Sequence, residues 1–253
     1  MIPLRDANPT RQTPLVTLGL VVACFVIFAG ELGVLASGGD AALEAVITQW
    51  GLIPADLTAA WGRGAFLSHE TLTLFTSQFL HGGWLHLLGN LLYLWIFGNN
   101  IEDRFGRLRF LAFYLVGGAV AGLAQVAISP TSTVPTIGAS GAIAATLGAY
   151  LVLFPRARVT SLVFLVFFYQ LIDVPAVVVL IFWIALQVID GLASLGVTDA
   201  GGVAFFAHIG GFAFGALVGL TVLRRSGGRI ADARSGAAPP VGPDGPTDPA
   251  RVG

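Results

Sequence analysis

Six apolar segments, at about 14–35, 82–100, 107–128, 138–154, 175–194 and 204–223, each come close to the roughly 20 residues a helix needs to cross a bilayer. Repeated six times, that length leaves little room for any other architecture. The chain is expected to be an all-α polytopic membrane protein, a bundle of six transmembrane helices. Its charge content agrees: 11% of the 253 residues are charged and 55% hydrophobic, against roughly 25% charged in an ordinary soluble domain. One further apolar stretch, Val159 to Ile172, ends at Asp173 just before Pro175. It is too short to span and reads as an interfacial or re-entrant segment.

All 13 basic residues are Arg, and their placement gives an orientation. The amino-terminal tail carries Arg5 and Arg11, the first loop Arg63, the second Arg104, Arg107 and Arg109, and the fourth Arg156 and Arg158. The third and fifth loops carry none, and the carboxy-terminal tail holds the remaining five. By the positive-inside rule both termini are cytoplasmic in a multi-pass protein of the cell membrane. Three regions follow: an amino-terminal tail over 1–13, a membrane domain over 14–225 with a long outer loop at about 37–81, and a disordered Gly- and Pro-rich tail over 226–253. The first apolar run is longer than the core of a signal peptide, so it is expected to remain as a helix.

Polar side chains inside hydrocarbon are costly and point to function. Under this topology His86 and Asn90, Ser140, and His208 enter from the outer side on the second, fourth and sixth helices, within one or two turns of the same depth. Ser140, Ala144 and Gly148 share one helical face, as do His208, Gly211, Gly215 and Gly219. Small residues let membrane helices approach closely. Two such stripes meeting in parallel bring Ser140 beside His208. A serine hydroxyl next to an imidazole is the minimal set for nucleophilic attack on a carbonyl, and Ser140 in the first turn of its helix lies near free amides able to hold an oxyanion.

Each of these residues has a plainer reading when taken alone. Gly138-Ala139-Ser140-Gly141 is also a packing motif, a single His is often a hydrogen-bonded structural group, and Asn90 can be interhelical glue. Their convergence at one depth favours chemistry. His81 does not share a helical face with His86 and is assigned a supporting place at the mouth of the site; His69 reads as a surface residue. Asp190 at the end of the fifth helix is weighed as a partner for His208, with helix capping the simpler reading. Glu102, Asp103 and Arg104 read as a structural turn cluster leading to Gly106. Cys24 is alone, and neither a His-Glu-x-x-His motif nor a cysteine cluster is present, so no metal or cofactor is expected. A net charge of -1 without a basic stripe argues against nucleic acid.

From Gly51 to Gly219 the sequence resembles the rhomboid family of intramembrane serine proteases. The resemblance is carried by Phe79-Leu80-His81-Gly82-Gly83-Trp84-Leu85-His86-Leu87-Leu88-Gly89-Asn90, by Phe97 to Gly106, by Gly138-Ala139-Ser140-Gly141 and by Ala207-His208-Ile209-Gly210-Gly211. It implies Ser140 as nucleophile and His208 as general base. His86, Asn90 and the Ser140 amide would form the oxyanion hole, with Gly138 and His81 in support. The substrates implied are transmembrane or juxtamembrane segments of other membrane proteins, single-span ones foremost, cut within the lipid bilayer at a site opening to the extracytoplasmic side. It also implies a first loop half-immersed at the outer surface, and a fifth helix and a cap that gate entry. Two departures stand out: Trp61-Gly62-Arg63 replaces a Trp-Arg pair of some members, and Ala144 stands where some carry a Tyr whose ring supports the base. A non-catalytic rhomboid-like binder of membrane clients is the alternative, although loss of Ser or His would be its usual sign. A transporter would need ionisable groups along a path, and the inner halves of these helices are apolar and small.

Overall fold

The computed structural model describes residues 2–165, 168–194 and 204–225. Nine α-helices and three strands are described: β1 (Ile2–Asp6), α1 (Leu15–Trp50), α2 (Pro54–Gly62), α3 (His69–Thr76), α4 (Trp84–Tyr93), α5 (Asn99–Phe105), α6 (Arg107–Ile128), α7 (Ser140–Leu153), β2 (Arg158–Leu165), β3 (Phe168–Pro175), α8 (Ala176–Ser194) and α9 (Phe205–Arg225). Four of the helices, α1, α6, α8 and α9, are long and apolar enough to cross a membrane by length and composition. The expected second span runs helically from Trp84 to Phe105 in three pieces, because a π-turn at Leu94–Gly98 separates α4 from α5. The expected fourth is α7, an apolar helix of 14 residues. The expected tail at 226–253 lies outside the described residues.

The central element is α7. Every residue from Gly141 to Tyr150 is buried, since its small side chains let neighbours close in on all sides. A Cβ placed on Gly211 would fall on the Gly141 carbonyl oxygen, one on Gly215 on the Ala145 carbonyl oxygen, and one on Gly219 beside Ala149. The partners in each pair are 70 positions apart, so α7 and α9 run parallel and in register. The seam on α7 passes over Gly141, Ala144, Ala145, Gly148 and Ala149, so it takes in Ala144 and Gly148 of the expected stripe and extends one position round the helix from it. Here the glycine hydrogens do what large side chains do in a soluble core: they set the distance between helices. α6 packs along the same seam, where a Cβ on Gly117 would lie 2.7 Å from the Ala145 Cβ and one on Gly211 would lie 3.2 Å from the Ala121 Cβ.

The all-α expectation is corrected by an antiparallel sheet of order β1-β2-β3. The expected re-entrant stretch Val159 to Ile172 instead supplies, over its described residues, two antiparallel strands, paired from Arg158 with Pro175 to Leu165 with Phe168. The stretch is rich in β-branched and aromatic residues, which suit a pleated surface, and the amino-terminal tail supplies a third strand, Ile2 pairing with Leu162 and Asp6 with Val159. An open sheet has unpaired edges that hydrocarbon does not accommodate. The sheet follows the carboxy-terminal end of α7, some 14 helical residues from Ser140, and so lies at the opposite end of the bundle from the polar motifs.

The long first loop is also helical. Gly39, with φ 71° and ψ -170°, breaks α1 into two helical pieces on either side of it, a conformation glycine adopts at little cost, and α2 and α3 follow. Trp61 Nε1 donates to Thr71 Oγ1 at 2.8 Å, and Leu52, Leu57 and Leu74 make a small core with Ala119 of α6. The Glu102 cluster leads, as expected, into a turn at Gly106, where φ is 81° and the N–H donates to Glu102 O at 2.8 Å, and it has a second structural part. The buried Glu102 carboxylate caps α1, accepting from the Val16 and Thr17 amides at 3.0 and 2.7 Å and from Thr17 Oγ1 at 2.8 Å, while Asp103 accepts from the Arg11 and Gln12 amides.

Candidate active site

The approach to Ser140 is fixed by the first loop. Leu52 and Thr136 exchange both backbone hydrogen bonds, Ala55 N–H donates to Ser132 O at 3.0 Å, and Gly138 N–H donates to Ser77 O at 2.8 Å. These bonds hold the segment before α7 extended. Helical bonding then begins with Ile143 N–H donating to Ala139 O at 3.0 Å, so the N–H groups of Ser140, Gly141 and Ala142 stand outside the helical ladder at its positive end. Gly138 has its own N–H engaged and a φ of 117°. Its contribution is the missing side chain, since a Cβ there would lie 2.6 Å from His86 Nε2.

The structure brings Ser140 and His208 together. Ser140 Oγ and His208 Nε2 are 2.7 Å apart, and His208 Nδ1 lies 2.6 Å from Gln187 Oε1. The amide oxygen only accepts, so Nδ1 carries the proton and Nε2 presents its lone pair to the Ser140 hydroxyl. Trp183, one turn earlier on α8, lays its ring 5.7 Å from that of His208. The support that Ala144 cannot provide thus comes from another helix. Asp190, weighed from sequence as the partner of His208, borders the same cavity, but the Nδ1 hydrogen bond goes to Gln187.

His86 and Asn90 face the same space. His86 Nδ1 accepts from the Gly82 amide at 3.3 Å, which leaves the proton on Nε2, the atom facing Gly138. Asn90 Nδ2 is buried without a partner and would be 3.6 Å from a Cβ on Gly138. Two donors therefore flank the space a Gly138 side chain would fill, on the wall of the cavity that Ser140 also lines. His81 stands behind His86, with rings 5.2 Å apart, outside the cavity wall. Its Nδ1 donates to Phe79 O at 3.1 Å, and its amide donates to the buried Glu31 carboxylate on α1. His69 is exposed, as expected, and bonds Gln49 O. A cavity of about 700 Å³ joins these groups, and Tyr93 of α4 and Trp183 of α8 both line it; their rings are 6.5 Å apart.

Residues 68–225, well over half of the chain, match the family model of the Rhomboid domain. The chain belongs to the rhomboid family. Several relatives carry the family name: RHOMBOID-like protein 4 of Arabidopsis thaliana is 35% identical over 156 residues, which is 62% of this chain and 35% of that protein. Rhomboid protease GluP of Bacillus subtilis is 43% identical over 82 residues, 32% of this chain and 16% of its own, and the putative rhomboid protease YdcA of the same organism is 32% identical over 116 residues, 44% and 58% of the two chains. This rhomboid thus spans about a third of the length of the plant relative. Some relatives are named proteases and others rhomboid-like.

Sequence reading missed Gln187, Trp183 and Glu31. A signal for the first was available: Gln187 is an amide in an otherwise apolar helix, at i and i+3 with Asp190.

Proposed function

We propose that this rhomboid protein is an intramembrane serine endopeptidase that cuts transmembrane or juxtamembrane segments of other membrane proteins, with Ser140 as nucleophile and His208 as general base. The observation that carries the reading is the 2.7 Å contact between Ser140 Oγ and His208 Nε2. The remaining parts of an acyl-transfer site surround it. As Oγ attacks the scissile carbonyl, its proton passes to Nε2, and the carbonyl oxygen becomes an oxyanion beside Asn90 Nδ2–H, His86 Nε2–H and the Ser140 amide. His208 then returns the proton to the leaving amine, and the acyl-enzyme is released when water attacks with His208 again as base. The buried Asn90 amide without a partner supports this step, because an oxyanion would satisfy a donor that otherwise costs about 1–3 kcal/mol.

The helical run Trp84–Phe105 and the short α7 complete six membrane helices with the four long ones, and the Arg tally puts both termini in the cytoplasm with the cavity opening outward. The membrane domain spans 14–225. A single-span substrate enters laterally between α4 and α8, past Tyr93 and Trp183. Cleavage of a single-span reporter in liposomes should be abolished in Ser140→Ala and His208→Ala while both remain folded. A fluorophosphonate should label Ser140 in the unaltered protein. Full activity in either variant removes the dyad assignment, and a folded protein that neither labels nor cleaves favours the non-catalytic client binder instead.

A further inference from the structure

We infer that Gln187 is a positioning residue for the base: its amide oxygen accepts the Nδ1 proton of His208 and so fixes the tautomer whose Nε2 lone pair faces Ser140. The inference rests on the proposed Ser140–His208 chemistry. Imidazole has two neutral tautomers, and only the one protonated at Nδ1 can take a proton from serine. In an apolar surrounding the choice belongs to whichever group faces the other nitrogen. Here that group is Gln187 Oε1, at 2.6 Å.

Among the described residues no other side chain bonds His208 Nδ1. Asp190 lies nearly one turn further along α8 and the His208 Nδ1 bond goes elsewhere; Ala144, fully buried on α7, has no side chain able to reach. Gln187 and Trp183 share a face of α8 at i and i+4. Between them they hold the imidazole twice, Gln187 along its edge and Trp183 against its ring. A neutral amide also suits the depth. A carboxylate would be an extra buried charge whenever the imidazole is neutral, whereas the amide orients the ring without one. It stabilises a developing imidazolium less than a carboxylate would, so its removal should cost less than the ~10⁴-fold lost when the aspartate of a serine-protease triad is made an amide.

The test uses full-length protein in liposomes and one single-span reporter. Gln187→Leu, similar in bulk and apolar, is expected to lower kcat by about 10- to 100-fold with little change in KM; Gln187→Met serves as a second apolar variant of the same length. Gln187→Glu keeps an acceptor oxygen at the same reach and should recover most of the loss at pH 8. Nitrogen-15 spectra of labelled histidine, with the His208 signal assigned by its absence in His208→Ala, should show Nδ1 protonated in the unaltered protein and the Nε2–H form gaining population in Gln187→Leu. Unchanged kcat in the apolar variants overturns the inference, as does a Glu variant that falls as far as Leu, or a tautomer indifferent to the substitution. If the unaltered protein neither labels nor cleaves, the protease reading fails instead, while the tautomer comparison still reports on Gln187.

Discussion

Substituting Gly138 by alanine should reach the proposed chemistry through His86. The new Cβ would lie 2.6 Å from His86 Nε2 and 2.8 Å from its Cε1, where ordinary contact begins near 3.4 Å, so the ring must retreat by roughly 0.8 Å. Backbone relief is small, because φ at this residue is 117° and an L side chain there adds about 1–3 kcal/mol of strain to the folded state. Moving one oxyanion donor out of reach costs about 10²- to 10³-fold in kcat, or about 3–4 kcal/mol of barrier. The assay is a double-mutant cycle: kcat on the reporter for Gly138→Ala, His86→Ala and the pair, with thermal unfolding in detergent to separate strain from chemistry. If the alanine acts by displacing His86, the pair should lose little beyond His86→Ala. Additive losses, or a Gly138→Ala variant with unaltered kcat, would refute the reasoning.

Two further predictions concern the opposite end of the bundle. Burial pushes the Asp6 carboxyl up to about 6 from 3.8, against the pull of its hydrogen bonds from Tyr150 and Asn100. The folded protein thus holds that proton more tightly than the unfolded chain. The stability Asp6 confers is full below about pH 4 and is lost as the pH rises through about 6. Asp6→Asn, always neutral, should match the parent near pH 4 and exceed it by about 2 kcal/mol at pH 7.5, after allowing for partial exposure. Melting curves across that range check it, and a constant difference would count against it. Glu102→Ala removes three acceptor contacts to Val16 and Thr17 and should destabilise by about 3 kcal/mol, with faster amide exchange at the start of α1; unchanged exchange there would show that the cap is idle.

Helix placement was legible because hydropathy is a local property. The third expected span, 107–128, coincides with α6, and the last three differ from α7, α8 and α9 by at most two residues at either end. The approach of Ser140 to His208 was legible too, since two small-residue stripes have few ways to meet. What escaped depends on partners far away in sequence. Val159–Leu165 looks like any short apolar run until Ile2–Asp6, some 160 positions earlier, is known to pair with it. Gln187 is one amide among apolar neighbours until the rotation of α8 against α9 aims it at His208. Ala144 was read correctly as offering no ring, but nothing local to α7 says that Trp183 arrives from α8. The first loop, expected half-immersed at the outer surface, also holds the backbone leading to Ser140 in place through bonds that no local pattern announces.

The π-turn at Leu94–Gly98 is, in effect, one residue more than an α-helix needs between two sets of polar side chains. Above it His86 and Asn90 face the cavity; below it Asn100 and Glu102 hold the amino-terminal segment. Each residue of an α-helix turns the chain by about 100°, so losing one residue there would rotate one set against the other by that angle. The turn works as a phase adjuster, letting one helical run serve a cavity on one bearing and a cap on another, and length changes in this stretch should be far harsher than substitutions.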